Sequence, residues 1–334
     1  MPRINLLRQW LDTLFLSEHA CHHYSLEQAS EDASFRRYFR LIFADGHTQI
    51  VMDAPPSHED CRPFLNVAEL FSQSGVHVPK VYATNLANGF LLLSDLGKTT
   101  YLEALNETTA HALYDNANEA LIHIQLASQE GRLPEYDRTL LLKELELFPK
   151  WYINHHLRLT LDAKQEFTLH QIFEKLLSNA LSQPKVYVHR DYHSRNLMLS
   201  GQAYPKNPGI LDFQDAVYGP ITYDLVSLYR DAYINWEEEH ELEFVIRYWQ
   251  AARRAGLPVY DDFSSFYQDY EWMGVQRQIK VLGIFARLYH RDGKDAYLND
   301  MPRVMAYLQR SCERYSELHP MARLLNQLQA RQVQ

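Results

Sequence analysis

Apolar and polar positions change period near residue 98 of this 334-residue chain. Before that point, strand signals dominate. Tyr24, Leu26 and Gln28 alternate with their neighbours, and 35–43 is rich in aromatic and apolar residues. Asp45-Gly46, a hairpin-turn dipeptide, leads into 49–52, which predicts a β-hairpin ended by Pro55-Pro56. Phe64, Val67, Ala68 and Phe71 keep helical spacing within 59–74, with Gly75 as the stop. Two short apolar runs follow at 78–82 and 90–93, and Leu6, Leu7, Leu11, Leu14, Phe15 and Leu16 predict an amphipathic helix near the start.

From residue 99 the period is helical, with candidates at 100–128, 140–157, 162–182, 236–255, 261–290 and 301–316. In 236–255, Asn235 reads as the cap with Glu238 as its capping-box partner. Leu242, Val245, Ile246 and Trp249 form the apolar stripe there, and Gly256 and Pro258 end it. A strand-rich island at 185–213 interrupts the helices. The layout is a small β-rich lobe, a linker near 94–98 and a large helical lobe, and ligands favour the crevice between two such lobes.

Composition narrows the function classes. At 46% hydrophobic and 22% charged residues, the chain is globular rather than disordered. A net charge of −9 argues against a large nucleic-acid footprint. Cys21, Cys61 and Cys312 are far apart and lack CxxC spacing, which argues against a disulfide framework or a cysteine zinc site. No apolar run reaches the ~18 residues of a membrane span. Arg8 and Asp12 interrupt the first apolar stretch, and no small-residue cleavage site follows. The expectation is a cytoplasmic protein that binds neither membrane nor nucleic acid.

The island carries the chemistry. An apolar strand, Val186-Tyr187-Val188, delivers the polar loop His189-Arg190-Asp191-Tyr192-His193-Ser194-Arg195-Asn196, and a later apolar segment ends in Asp212. Asp191, Asn196 and Asp212 are its strongest polar groups. Phosphoryl transfer needs such a set, because its loose transition state asks the protein mainly to position groups and neutralise charge. Magnesium takes hard oxygen donors and keeps several waters, so an Asn amide oxygen and an Asp carboxylate suit it. A further Asp on the loop can accept a hydrogen bond from the attacking hydroxyl.

His189-Arg190-Asp191-x4-Asn196 followed by Leu211-Asp212-Phe213 resembles the catalytic and metal-binding loops of the protein-kinase-like superfamily. Tyr192 to Arg195, Gly219-Pro220 and Asp224-Leu225 resemble its aminoglycoside phosphotransferase branch, as do Val78-Pro79-Lys80-Val81 and the hinge Leu92-Leu93-Ser94-Asp95-Leu96-Gly97. The resemblance implies an α+β, bilobal kinase-like fold. Residues 1–97 would form a β-rich N-lobe and 98–334 a mainly helical C-lobe. It also implies ATP and Mg2+ as cofactors, Asp191 as catalytic residue, and Asn196 and Asp212 as metal ligands. Ser34, Phe35 and Arg36 would face the nucleotide, with the backbone around Ser94, Asp95 and Leu96 on the adenine edge. Asp224 would hold the catalytic loop. A narrower resemblance joins Asp32 to Arg40 and Val51 to Pro56 to the bacterial N-acetylmuramate/N-acetylglucosamine anomeric kinases of cell-wall recycling. That resemblance alone implies an amino-sugar acceptor phosphorylated at C1; separately, the chain is expected to be a monomer.

Two features depart from the superfamily pattern. There is no glycine-rich loop, and the covering turn would be Glu31-Asp32-Ala33-Ser34. The third-strand Lys is absent: Met52 stands in its place, and its usual Glu partner falls at Leu65, or at Glu69 if the alignment slips. Positive charge on the phosphates would then come from Arg36 or Arg37, which alternate across the strand so that only one can face a nucleotide.

Plainer roles stand beside the sharper ones. His189 reads as structural, and His189 with His193 lacks the helical context of a zinc pair. The acidic run Glu237 to Glu241 reads as a solvated first turn. Trp151, Tyr233, Trp236 and Trp272 could line an acceptor pocket, although core packing is the simpler reading. Arg230, Arg277 and Arg287 are candidates for a substrate carboxylate, with ordinary surface roles favoured. Rival functions are a kinase of another small alcohol (aminoglycoside, choline or homoserine-like) and a nucleotide-binding pseudokinase.

Overall fold

The computed structural model describes residues 2–16, 24–31, 35–199 and 208–332. Contacts divide the chain into two compact units. Residues up to Thr99, with the segment Gly209–Asp215, form a sheet unit, and Thr100–Leu197 with the chain from Ala216 onward forms a helical unit.

The sheet unit opens with helix α1 (Arg3–Leu16). Five antiparallel strands follow: β1 (Tyr24–Glu31), β2 (Arg37–Phe43), β3 (Thr48–Asp53), β4 (Val81–Asn85) and β5 (Phe90–Ser94), in spatial order β1-β2-β3-β5-β4. Helix α2 (Arg62–Gln73) lies between β3 and β4 in sequence. The predicted hairpin is present. Its turn passes through Gly46 at φ +86°, where glycine avoids the steric cost of a left-handed backbone. Leu7 and Leu11, one turn apart, place α1 against Leu41, Phe43, Val51, Phe90 and Leu92 of the sheet. The face of α2 is Phe64, Val67, Ala68, Leu70 and Phe71, and Gly75 follows at φ +84°.

The helical unit holds α3 (Tyr101–Ala104), α4 (Ala110–Leu126), α5 (Arg138–Leu145), a π-helix (Phe148–His156) and α6 (Ala163–Ser182). Strand β6 (Lys185–Val188) and β7 (Leu197–Met198) come next in sequence, and β8 (Gly209–Ile210), which belongs to the sheet unit, comes later. Then come β9 (Val217–Pro220), α7 (Tyr223–Tyr229), α8 (Glu238–Ala255), α9 (Phe263–Asp292), α10 (Met301–Arg314) and α11 (His319–Gln332). β6 and β9 pair antiparallel from Lys185↔Pro220 to Val188↔Val217. The 30-residue α9 is the spine, buried over most of its length. At Gly283 an added Cβ would lie 2.5 Å from the Leu147 carbonyl carbon, so only glycine lets the two backbones approach this closely.

Several expectations change. The 100–128 helix breaks at Asn106, whose side chain accepts from the Thr108 and Thr109 N–H groups and offers the chain a turn instead. The 140–157 helix divides because Pro149 lacks the N–H to continue α5 and instead sits in the first turn of the π-helix. α7 is buried on every side, so it has no polar face to give it a period. Asn235 does not cap α8, which begins after Glu237 without a side-chain cap. Its buried face is Glu241, Phe244, Val245, Tyr248 and Ala252, turned from the expected stripe. The cause is Glu241, which is no solvated residue. It lies inside, 2.6 Å from Arg230 and also paired with Arg310. Trp236 is core, its indole N–H donating to the Tyr114 hydroxyl at 2.8 Å.

Candidate active site

The catalytic-loop residues lie in the helical unit. β6 ends by delivering His189, which is fully buried and accepts the Asp191 N–H on its Nδ1 at 3.2 Å. The histidine therefore fixes the loop from inside. Arg190 has φ +77° and Asp212 φ +61°, two of three non-glycine residues with positive φ among the described residues. Such a conformation costs on the order of 1–3 kcal/mol and persists only where the surroundings impose it. At Arg190 the surroundings do so. The Asp224 carboxylate accepts both the His189 N–H at 2.7 Å and the Arg190 N–H at 3.0 Å. The Arg190 guanidinium pairs with buried Glu144 and lies 5.5 Å over the Tyr136 ring. Glu144 is shared with Lys280 at 3.1 Å, and Lys280 also donates to the Tyr223 hydroxyl at 2.8 Å. At the far end, the Ser194 N–H and hydroxyl both donate to buried Asp231, at 2.9 and 2.5 Å.

These anchors set the charge of the loop. Burial pushes the Asp191 carboxyl up, but the positive charges of Lys280, His193, Arg277 and Arg190 outweigh it and hold it below the usual carboxylate range. Asp191 therefore stays ionised while half-buried. Asp224 goes the other way. Burial, helped by the charge of Asp191, lifts it to about 7 despite its two N–H donors. Asn196 is locked to the loop: its side-chain amide donates to the Asp191 carbonyl at 2.9 Å, and its backbone N–H donates to the His193 carbonyl at 2.9 Å. With the amide N–H committed, its Oδ1 remains as a hard acceptor.

The sheet unit holds the other candidates. Phe213 is fully buried, its ring 4.9 Å from Phe64 and 5.9 Å from Phe71. That anchor leaves the preceding Asp212 side chain 35% exposed. Asp212 accepts from the Gln214 amide at 2.8 Å and faces Arg36 at 3.9 Å. Arg36 is also 3.8 Å from Glu59 and has a side chain only 10% exposed. Its neighbour Arg37 goes elsewhere, to buried Asp53, which Arg3 also binds. Phe35 is 62% exposed and stacks on His58 at 4.3 Å. Ser34 and the rest of 32–34 lie outside the described residues.

At the expected adenine edge, Ser94 is the last residue of β5. Its N–H donates to the Lys80 carbonyl at 2.8 Å and its hydroxyl accepts the Lys80 N–H at 2.9 Å. The Asp95 side chain is committed to Arg40, at 2.5 and 3.1 Å, and to the Gly97 N–H at 2.9 Å. The Leu96 side chain is buried. Met52 is buried too, and Glu69 points outward to Gln73, so neither rebuilds a lysine–glutamate pair.

The family profile described as Phosphotransferase enzyme family matches residues 25–263. The chain belongs to that family. The resemblance read from its motifs holds: it is an enzyme, a phosphotransferase of the kinase kind, and that class uses ATP and a small-molecule acceptor. An N-acetylmuramate/N-acetylglucosamine kinase of Neisseria meningitidis serogroup B is 50% identical over 332 residues, covering 98% of this chain and 96% of the relative. One from Pseudomonas putida is 48% identical, covering 92% and 89%. Among solved structures, the choline kinase LicA from Streptococcus pneumoniae aligns with a TM-score of 0.63 at 15% identity, over 90% of this chain and 98% of its own. The amicoumacin kinase hAmiN aligns with a TM-score of 0.60 at 14% identity, over 96% and 100%. The fold is accordingly α+β and protein-kinase-like.

Several residues of this phosphotransferase were not assigned by motif. Glu144, Asp231 and Lys280 hold the catalytic loop or its charge, and they come from α5, the turn after α7, and α9. Each stands alone in sequence, with no spacing to mark it. Arg230 and Arg277, read as surface residues, are both buried. Among the described residues no helix is long and apolar enough to cross a membrane, and no three His, Cys, Asp or Glu side chains converge as for a metal ion.

Proposed function

We propose that this enzyme transfers the terminal phosphoryl group of ATP to the anomeric C1 hydroxyl of an amino sugar, N-acetylmuramate or N-acetylglucosamine, as a cytoplasmic, monomeric enzyme of cell-wall recycling. The observation that carries the reading is Asp191, a carboxylate kept ionised by surrounding cations on a loop fixed at both ends. The names borne by the relatives support the acceptor. Asp191 orients the acceptor hydroxyl and takes its proton late, as the oxygen acidifies against phosphorus. An anomeric hydroxyl is more acidic than an ordinary alcohol, because the ring oxygen withdraws electrons, and so it suits a base this weak.

Asn196 and Asp212 would hold magnesium, offering an amide oxygen and a carboxylate and leaving its other positions to water and phosphate. The ion, when bound, supplies charge neutralisation on the phosphates. Arg36 takes the place of the missing lysine as the cation for the nucleotide, beside Ser34 and Phe35. The backbone of Ser94, Asp95 and Leu96 meets the adenine edge. The carboxylate of Asp95 braces that segment through Arg40.

The test is a panel of acceptors with ATP and magnesium, with the position of the new phosphate read by phosphorus NMR. The expected product is a sugar 1-phosphate that hydrolyses in mild acid. Phosphorylation of choline or an aminoglycoside with no turnover of either amino sugar would overturn the reading, as would an acid-stable product.

A further inference from the structure

Arg277 sits on α9 one turn before Lys280, on the same side of the helix. It is 5% exposed, yet it makes no hydrogen bond or ion pair with the described residues. An arginine taken out of water ordinarily brings an anion with it. Arg230, the other buried arginine among the described residues, follows that rule, and the half-buried Arg190 also has its anion. Arg230, packed against the same helix, pairs with Glu241 and Glu271 and donates to the Ser311 hydroxyl at 2.7 Å. Arg190 pairs with Glu144.

Nor is Arg277 sealed in. Among the described residues, the buried polar atoms that lack a partner include Nε of Arg287 and Arg310, but no atom of Arg277. Lacking partners, its nitrogens must meet solvent, at the end of a stem that does not. The charge acts on Asp191, His193, Asp224 and Tyr233, groups that bracket the catalytic loop. His193 adds a buried Nδ1 without a partner, and its ring lies 5.4 Å from Tyr233. A built cation without its anion therefore stands beside the proposed base.

We infer that Arg277 is a specificity-determining residue for an acidic acceptor: its guanidinium receives the lactyl carboxylate of N-acetylmuramate, a group that N-acetylglucosamine lacks. The inference rests on the amino-sugar reading above and deepens it. The lactyl ether is on C3, two ring positions from C1. With the C1 hydroxyl on Asp191, the carboxylate lies about one ring away, within reach of a guanidinium this close to the loop. A second carboxylate beside Asp191 would otherwise be repelled, and the fork of a guanidinium binds it at two points. A cation serving the transferred phosphoryl group instead would affect both sugars alike.

The experiment compares kcat/KM for the two sugars in the intact enzyme, Arg277→Gln and Arg277→Lys, and adds the methyl ester of N-acetylmuramate as a third acceptor. Arg277→Gln is expected to lower kcat/KM for N-acetylmuramate by about 30-fold or more, the scale of a lost charge-assisted pair. The loss for N-acetylglucosamine should be at least ~10-fold smaller, with Arg277→Lys intermediate. Equal losses for both sugars, or none for either, would overturn the inference. Should Arg277→Gln fail to fold, the intact enzyme still decides. It is expected to favour the free acid over the ester by about 10-fold, and equal use of the two sinks the inference alone. If the intact enzyme phosphorylates neither sugar, the amino-sugar reading falls and takes this inference with it.

Discussion

Two backbone positions in this enzyme adopt the same unusual left-handed conformation, and they are supported in different ways. Arg190 is held by a buried carboxylate on its peptide, an ion pair on its side chain and a histidine behind the loop. Asp212 is held mainly by its neighbour, Phe213, wedged into α2, while its own carboxylate faces Arg36 and Gln214 at the surface. The first region is fixed before any ligand arrives. The second presents its charge at the surface. In the reaction proposed above, a group that orients one hydroxyl would benefit from rigidity, whereas a group that meets a hydrated metal could rely on the ion to complete its shell.

That contrast can be broken most severely at the proposed base. Asp191→Asn should lower kcat by at least ~100-fold while melting temperature changes little. Near-normal turnover would remove Asp191 from the reaction. Next in size is the anchor. Asp224→Ala frees two buried N–H groups, so kcat should fall about 10-fold or more, together with a loss of about 1–3 kcal/mol in denaturant unfolding. A purely local role for Asp224 would cost stability and spare kcat.

The neighbouring arginines of the sheet unit sharpen the comparison. Arg36→Ala should raise the KM for ATP by about 10-fold with little effect on stability, whereas Arg37→Ala should cost about 1 kcal/mol of stability with little effect on that KM. The reverse pattern, or no effect of either change on KM, would dissolve the assignment of Arg36. A pH experiment is subtler. Burial lifts Asp224 from 3.8 to about 7, so the folded chain keeps a proton that the unfolded chain has lost. The stability from this group is full below pH 3.8 and drains away as pH rises towards 7. The unfolding midpoint of the intact enzyme should therefore fall more steeply from about pH 5 to about pH 8 than that of Asp224→Asn. Parallel slopes would contradict it. The smallest change is Phe35→Ala, expected to alter the KM for ATP by about threefold or less, since among the described residues the exposed ring stacks on His58 alone.

Much of this was legible in the sequence, for identifiable reasons. The β2–β3 hairpin announced itself through Asp45-Gly46, and the catalytic loop through residues packed closely along the chain. Chemistry spread over distant elements was not legible. Glu241 looked like one more acid in a solvated run, because nothing nearby in sequence foretells that Arg230 and Arg310 will draw it inward. α7 has no polar face, so no period marked it. Asn106 and Pro149 did carry breaking signals, but the apolar stripes on either side masked them. In sequence Arg277 stands with Arg230 and Arg287 as a candidate for a substrate carboxylate, with a surface role favoured for each. Only the burial of its helix face, and the lack of a partner there, distinguishes it.

The pairing of Arg37 with Asp53 is also a cross-strand neighbour pair, the two residues lying opposite each other in the β2–β3 ladder. A slip of one position along that ladder would carry every side chain of β2 to the wrong face. It would pull Arg37 from Asp53, leave that buried carboxylate to Arg3, and send Arg36 away from Asp212. Asp53 thus works as a combination lock on alignment. The misaligned hairpin is penalised within the hairpin itself, so Arg36 meets Asp212 because a different pair, Arg37 with Asp53, disfavours the alternatives.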